Sequence, residues 1–107
     1  MGDRIRDGKF RIGQLVNHKL FDYRGVVFDV DPVFQGSEEW YVTMARSRPP
    51  KDSPWYHVLV HQGIHSTYVA ERNLKADSAV TPVIHHAMDQ IFSAFENGAY
   101  TPRRRGN

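Results

Sequence analysis

The sequence predicts a mainly β fold, a small SH3-like barrel with a short helix in an irregular insertion and an α-helix near its C-terminal end. Three observations favour it. Short runs of β-branched and aromatic residues recur between turn signals, residues 33–54 interrupt this pattern, and residues 81–98 carry apolar side chains at helical spacing. The 107 residues are enough for one small core and too few for two.

The strongest predicted strand lies within residues 21–32, whose sequence is FDYRGVVFDVDP. Arg24-Gly25 predicts a turn that leads into a β-branched and aromatic run. Pro32 ends the strand because proline removes a backbone donor from the ladder. Alternation predicts two faces, with Val26, Phe28 and Val30 on one and Val27, Asp29 and Asp31 on the other.

Four further segments complete the predicted sheet. His18 lies at the end of the first segment. It shares a strand face with Val16, which predicts that it packs at the edge of the core. The segments are a first strand at residues 14–18, a strong strand at residues 54–61, its hairpin partner at residues 66–70 after a Gln62-Gly63 turn, and a short strand after a tight turn at residues 71–74.

A short helix is predicted in the insertion at residues 38–45. Ser37 is a suitable N-cap, and Glu38 and Glu39 would interact favourably with the helix dipole in the first turn. Residues 41–43, Tyr-Val-Thr, favour a strand instead, so the two interpretations compete in this segment.

The C-terminal helix is predicted at residues 81–98. Thr81 is a suitable N-cap, Pro82 is tolerated at the first helical position, and Gly98 stands where a C-terminal cap is expected. The helix would bury its apolar stripe either against the barrel or against a partner, and both alternatives stay open.

Composition limits the classes of chemistry. The absence of cysteine excludes disulfides, thiolate metal sites and cysteine catalysis, and it fits a reducing compartment. The sequence has no secretory signal and no apolar run long enough to cross a bilayer. We therefore predict a cytoplasmic protein that does not contact membranes.

Charge is unevenly distributed along the chain. The net charge is +2, but residues 8–102 contain nine basic and ten acidic residues, which gives a net charge of −1. We predict a flexible leader at residues 1–8, a single domain at residues 9–98 and a basic tail at residues 99–107. A nearly neutral domain gives weak support to DNA binding through phosphates.

Two site hypotheses fail on elementary grounds. His57, His61 and His65 invite a zinc site, but positions i and i+4 on a strand are about 13 Å apart, too far for ligands of one ion. Asp29 and Asp31 could join His57 in a hydrolytic site, but no nucleophile, phosphate loop or metal-ligand set accompanies them. We predict no catalytic residues, no metal and no cofactor.

Basic residues provide the candidate contacts to DNA phosphates. Three of them are gathered between prolines in the insertion, and three follow one another near the end of the chain. The candidates are Arg46, Arg48, Lys51, Arg103, Arg104 and Arg105.

Four ordered segments resemble the bacterial HspQ family, also called the YccV-like hemimethylated-DNA-binding domain. They are FRIGQLVNH at residues 10–18, YRGVVFDVDP at residues 23–32, PWYHV at residues 54–58 and YVAERNL at residues 68–74. The hairpin loop HQGIH at residues 61–65 departs from many relatives, so partner contacts at that loop do not carry over.

The resemblance implies a non-enzymatic barrel of the heat-shock response that forms homo-oligomers, with a trimer expected. It also implies two functions: binding of hemimethylated DNA, and promotion of the degradation of particular proteins, including a replication initiator, by ATP-dependent proteases. No catalytic residues carry over. We favour the adaptor function, because no predicted helix is suited to read a methyl group in the major groove. The candidate binding surface comprises His18, Tyr23, Arg24, Asp29, Asp31 and His57.

Overall fold

The computed structural model describes residues 8–103. Five strands form one antiparallel sheet in the order β4-β3-β2-β1-β5, and the last two strands form a separate hairpin. The elements are β1 Leu15–His18, β2 Arg24–Asp31, α1 Glu38–Met44, β3 Trp55–Val60, β4 Ser66–Ala70, a 3-10 turn Glu71–Asn73, β5 Leu74–Ala76, α2 Met88–Ile91, β6 Phe92–Glu96 and β7 Ala99–Pro102.

The mainly β, antiparallel architecture is confirmed. Strand pairing within residues 8–103 does not close either sheet, so the SH3-like barrel stays a prediction. None of the helices in this part of the chain is long and apolar enough to cross a membrane.

The short helix predicted in the insertion is confirmed as α1. The Ser37 hydroxyl accepts a hydrogen bond from the Trp40 backbone N–H at 3.0 Å, which satisfies one of the free donors at the start of the helix. Local capping therefore prevails over the β preference of residues 41–43.

A β-bulge at Phe28 overturns the predicted faces of β2. Val27 pairs with Val58 and Asp29 pairs with His57, so Phe28 is the extra residue between two ladder positions. The bulge reverses the alternation beyond it. Val30 consequently packs on the same side as Val27, rather than beside Val26 and Phe28 as predicted.

The glycine of Arg24-Gly25 serves close packing rather than a turn. Gly25 lies within β2, and a Cβ atom there would come within 2.6 Å of the Leu59 carbonyl oxygen on β3. The turn before β2 contains its left-handed residue at Asp22, with φ of 54°. The predicted turn is therefore misplaced by a few residues.

The predicted C-terminal helix at residues 81–98 is wrong. Only α2 is α-helical there, and it is followed directly by the β6–β7 hairpin. Asn97 and Gly98 both have positive φ, 54° and 77°, as a type I′ hairpin turn requires. Gly98 is thus a turn residue and not a helix cap.

Tertiary hydrogen bonds explain why residues 81–87 do not form a helix. The Ile84 N–H donates to His61 Nδ1 at 2.9 Å, and the Ile84 carbonyl accepts from the Gln62 N–H at 2.7 Å. The Thr81 carbonyl accepts from the Arg24 guanidinium. Of the apolar residues whose spacing predicted a helix, Ile84 is 62% exposed, whereas Met88 and Phe92 are buried without belonging to one continuous helix.

The predicted basic tail begins too early. Residues 99–102 form β7, and Ala99 makes a bridge with Gln14 that joins the hairpin to the start of β1. The predicted leader up to residue 7 and the tail from residue 104 lie outside the described residues.

The buried side chains form three clusters. The inner cluster consists of Phe10, Val16, Val27, Tyr56, Val58, Val69 and Leu74. The C-terminal cluster consists of Leu15, Val26, Leu59, Val83, Met88 and Phe92. The aromatic cluster consists of Tyr41, Ala45, Trp55 and Ala70, with Phe34, Trp40 and Tyr68 packed against it.

Candidate binding groove

A groove of about 670 Å³ runs along β4. Its walls are the β1–β2 turn on one side and α1 with the loop that follows it on the other. The surface is mostly apolar, and aromatic side chains provide much of it. The principal lining residues are Phe21, Tyr23, Trp40, Met44, Trp55 and Tyr68.

His18 shapes the wall made by the β1–β2 turn. Its Nδ1 accepts hydrogen bonds from the backbone N–H groups of Leu20 and Phe21, both at 3.1 Å, and its ring stacks on Phe21 with centroids 4.7 Å apart. Burial lowers the pKa of His18, which favours the neutral ring that can accept these bonds. His18 therefore supports a turn whose Phe21 side chain is 73% exposed at the groove.

Tyr23 connects this turn to β4. Its hydroxyl lies 2.7 Å from Thr67 Oγ1, and burial raises its pKa. The contact holds the turn and the edge strand at a fixed separation. His18 and Tyr23 both line the groove, and their role in a binding surface stays a prediction.

The acidic corner, which we define as Asp29, Asp31 and His57, lies beside the groove. Asp31 Oδ2 accepts a hydrogen bond from the Tyr68 hydroxyl at 2.6 Å and lies 3.1 Å from His57 Nε2. Burial, followed by the hydrogen bond to Asp31, raises the pKa of Tyr68. Trp40 lines both the groove and a smaller cavity of about 320 Å³ at this corner.

The acidic corner also has the donor atoms for a cation. Asp29, Asp31 and His57 bring one potential ligand atom each to within 4.8 Å of one another. Asp31 and His57 are already joined to each other, and Asp31 is also joined to Tyr68. The observed hydrogen bonds account for these two side chains as a brace between β2, β3 and β4.

Arg24 does not belong to this surface. Its Nε donates to Asp77 Oδ2 at 2.6 Å, and its Nη2 donates to the Thr81 carbonyl at 2.6 Å. Both contacts hold the segment after β5 against the sheet. Of the predicted binding surface, the structure brings His18, Tyr23 and His57 to the groove and Asp31 to the smaller cavity beside it, whereas Asp29 is exposed and lines neither of these two cavities.

Three of the four predicted phosphate contacts that the structure describes are engaged within the protein. Arg48 donates to the Ala45 carbonyl at 2.8 Å at the end of α1, and Lys51 forms an ion pair with Glu38. Arg103 Nε donates to the Asp89 carbonyl at 3.0 Å. Arg104 and Arg105 lie outside the described residues.

Arg46 is the exception among the four candidates that lie within residues 8–103. It is exposed, it lines the groove, and within residues 8–103 its side chain makes neither a hydrogen bond nor an ion pair. It therefore places an available positive charge on a mostly apolar surface.

The other two histidines of the rejected zinc hypothesis have separate structural contacts. His61 accepts from the Ile84 N–H, and its pKa is lowered by burial and then by the nearby Arg24 charge. The His65 carbonyl lies 3.1 Å from His85 Nε2.

The sequence interpretation missed the residues that give the groove its apolar character. Phe21, Trp40, Met44 and Tyr68 were not predicted as site residues. Only Leu20-Phe21 carried a signal, because two large apolar residues in a polar turn are unusual; they are 58% and 73% exposed. Trp40 and Tyr68 reach the groove through tertiary packing.

All of the groove-forming segments fall within residues 8–99, and a protein-family model described as hemimethylated DNA-binding protein YccV like matches these residues. The chain belongs to the YccV-like family. The resemblance based on four short segments is thereby confirmed. The YccV-like domain is a DNA-binding or regulatory domain and is not a known enzyme family.

Proposed function

We propose that this protein is a non-enzymatic adaptor of the heat-shock response that promotes the degradation of specific proteins, including a replication initiator, by ATP-dependent proteases. The observation that carries the proposal is the groove along β4, an apolar surface that exposes Phe21 and Met44 at 73% and 61%. Exposed apolar patches surrounded by polar residues are typical of protein interaction sites.

Electrostatics supports a protein partner over duplex DNA. Adding Arg103 to the nine basic residues of residues 8–102 gives ten, which balance the ten acidic residues, so residues 8–103 have no net charge. Three of the predicted phosphate contacts are engaged in internal contacts. A domain that binds duplex DNA mainly through phosphates would instead present a clustered basic face.

Hemimethylated DNA binding is the second candidate, and the family description favours it. Arg46 supplies a cation that has no partner within residues 8–103 and lies beside aromatic side chains, a combination that suits a phosphate next to an unstacked base. In this alternative, Arg104 and Arg105 would add further phosphate contacts.

A degradation assay tests the adaptor function. A purified ATP-dependent protease is incubated with ATP and a replication initiator protein, with and without this protein, and the half-life of the initiator is measured. We expect a shorter half-life only when the protein is present. Unchanged half-lives with the ATP-dependent proteases of the same cell would contradict the proposal.

A binding assay tests the DNA alternative. Fluorescence anisotropy is measured for labelled hemimethylated, fully methylated and unmethylated duplexes at low and near-physiological salt. The adaptor proposal predicts weak binding that is equal for the three duplexes and falls steeply with salt. A preference for the hemimethylated duplex that persists at the higher salt would establish DNA recognition instead.

We further propose that the protein is a cytoplasmic homo-oligomer, with a trimer expected from the family resemblance. Sedimentation equilibrium across a range of protein concentrations gives the molecular mass of the assembly. A mass that stays at 12.4 kDa throughout would contradict oligomer formation.

A further inference from the structure

The base of the groove is an unpaired edge of the five-stranded sheet. Within the described residues, β4 pairs with β3 only, and its opposite side has no strand beside it. The strand contains five residues, a length of about 17 Å. An unpaired edge of this kind is a template for another extended segment.

The hydrogen-bond pattern identifies which backbone groups of β4 face outward. The Glu71 N–H donates to the Pro54 carbonyl at 3.0 Å just beyond the end of the strand, so Val69 and Thr67 are the next residues bonded to β3. Narrow and wide pairs alternate along an antiparallel ladder. The N–H and C=O groups of Ser66, Tyr68 and Ala70 therefore point away from β3.

The β2–β3 ladder gives the same assignment independently. The His61 N–H donates to the Arg24 carbonyl at 2.8 Å, so odd-numbered residues of β3 bond to β2 and even-numbered ones bond to β4. Val58 consequently bonds to Thr67, as the first argument requires. In the part of the chain that the structure describes, the outward N–H and C=O groups of Ser66 and Tyr68 and the outward N–H of Ala70 have no hydrogen-bond partner, whereas the Ala70 carbonyl, as the N-cap of the 3-10 turn, accepts the first hydrogen bond of that turn.

Apolar side chains on both walls of the groove would pack against an extended apolar segment. A strand directs its side chains alternately to opposite faces. Phe21 and Tyr23 line one wall and Trp40 and Met44 line the other, so apolar side chains of either parity would find contacts. Arg46, on the wall formed by the loop after α1, would attract a carboxylate.

We propose that β4 binds an extended apolar segment of another protein as an additional strand, and that Arg46 binds a carboxylate of that segment. This inference rests on the proposed adaptor function only for the identity of the partner as a protease or its substrate. The binding site itself follows from the free ladder of β4 and from the groove around it.

Selection from a displayed library of random twelve-residue peptides supplies a probe. We expect enriched peptides with several large apolar residues and an acidic residue or a free C-terminal carboxylate. Backbone N-methylation of one enriched peptide then tests the strand geometry, because methyl groups on alternate residues remove the donors of one edge only. One variant of the peptide is methylated at its odd-numbered residues and another at its even-numbered residues. One of the two should lose binding, and the other should bind nearly as well as the unmodified peptide.

Amide hydrogen exchange locates the bound peptide on the protein. In the free protein, the amides of Tyr68 and Ala70 should exchange faster than those of Thr67 and Val69, which are already bonded to β3. The peptide should slow exchange at Tyr68 and Ala70 by about tenfold or more, with a smaller change at Thr67 and Val69. Equal protection at all four residues would contradict strand addition.

Two variants with matched controls test the protein side. Ser66→Pro removes an outward N–H while sparing the ladder with β3, so it should weaken peptide binding by about tenfold or more, whereas Ser66→Ala should retain it. Arg46→Glu should weaken binding of acidic peptides. Lys75→Glu makes the same charge change on β5, outside the groove lining, and should have little effect.

The results separate failure of the inference from failure of the proposed function. If the protein speeds the degradation of a substrate and the Ser66→Pro variant speeds it equally, the adaptor function is supported and the β4 site is overturned. Peptide binding with the predicted parity, without any effect on degradation, would support the β4 site and overturn the adaptor function.

Three further outcomes would overturn the inference. One is that no peptide is enriched, and another is that binding is insensitive to N-methylation at either parity. The third is protection of the Tyr68 amide that rises with protein concentration without peptide, because the occupant would then be a second copy of the chain.

Discussion

The two apolar surfaces beside the five-stranded sheet are completed in different ways. The C-terminal cluster is covered by the chain itself, because Val83, Met88 and Phe92 pack over residues of β1, β2 and β3. The groove along β4 has no such cover within residues 8–103, and Phe21 is 73% exposed there, whereas Phe92 is 3% exposed.

This difference indicates that the two surfaces have different roles. Burying an aromatic side chain stabilises a fold by roughly 1.5 to 3 kcal/mol relative to exposing it. The protein gains this contribution at Phe92 and forgoes it at Phe21, although both residues lie beside the same sheet. The open surface is therefore the better candidate for a binding site, and substitutions on the two surfaces should affect different properties.

The largest effect is expected from opening the covered surface. Phe92→Ala removes a buried ring from the C-terminal cluster and leaves a cavity, so it should lower the free energy of unfolding by about 3 to 5 kcal/mol. Urea denaturation followed by circular dichroism measures this change. Phe95→Ala is a suitable comparison, because Phe95 is only partly buried beside the same cluster and should cost less. Equal losses would show that the covered surface is not a packed core.

The covered surface was also the part of the fold that sequence predicted least well. Apolar residues at helical spacing between Thr81 and Gly98 outweighed one contrary signal, the dipeptide Asn97-Gly98, which is typical of a type I′ hairpin turn. The hydrogen bonds that His61 and Gln62 make with Ile84 depend on residues more than 20 positions away. Local periodicity carries no information about them.

The sheet and α1 were predictable because their signals are local. Ser37 caps α1 from the adjacent position, and β2 ends near the proline that was expected to stop it. The bulge at Phe28 had no comparable signal, and it moves Val30 to the other face of the strand. The groove was partly predictable, since His18, Tyr23 and His57 were expected at one surface, but Trp40 and Tyr68 converge only through tertiary packing.

The next largest effect should come from the ion pair that holds the covering segment in place. Asp77→Ala leaves the Arg24 guanidinium without its carboxylate partner, whose side chain is only 8% exposed, and we expect the free energy of unfolding to fall by about 1.5 to 3 kcal/mol. Chemical denaturation of the variant measures the loss. Glu38→Ala, which removes the exposed ion pair with Lys51, should change stability by less than about 1 kcal/mol. A reversed ranking would contradict the bracing role of Arg24.

Acid should weaken the supports of both surfaces. Burial lowers the pKa of His18 beside the groove and of His61 beside the covering segment below the ordinary histidine value of about 6.5. As the pH falls below this value, the unfolded chain therefore binds more protons than the folded protein. The neutral rings contribute their full stability above this pH, and that contribution is lost as the pH falls through it.

We expect the free energy of unfolding to decline from about pH 7.5 to about pH 5.5, and the decline to be smaller in His18→Gln. Thermal denaturation across this range measures both slopes, with His86→Gln as a control, because the His86 side chain is exposed. A decline of the same size in His18→Gln would assign the pH dependence to other groups, first of all to His61.

The smallest effect on stability should come from Phe21→Ser in the open groove. Since the Phe21 side chain is 73% exposed, its removal should change the free energy of unfolding by about 0.5 kcal/mol or less. The same substitution should weaken binding of a groove peptide several-fold, because the peptide would bury the ring that the free protein leaves in water. Denaturation and peptide titration of one preparation give both values. A large loss of stability with unchanged binding would mean that Phe21 supports the fold, and the contrast between the two surfaces would then fail.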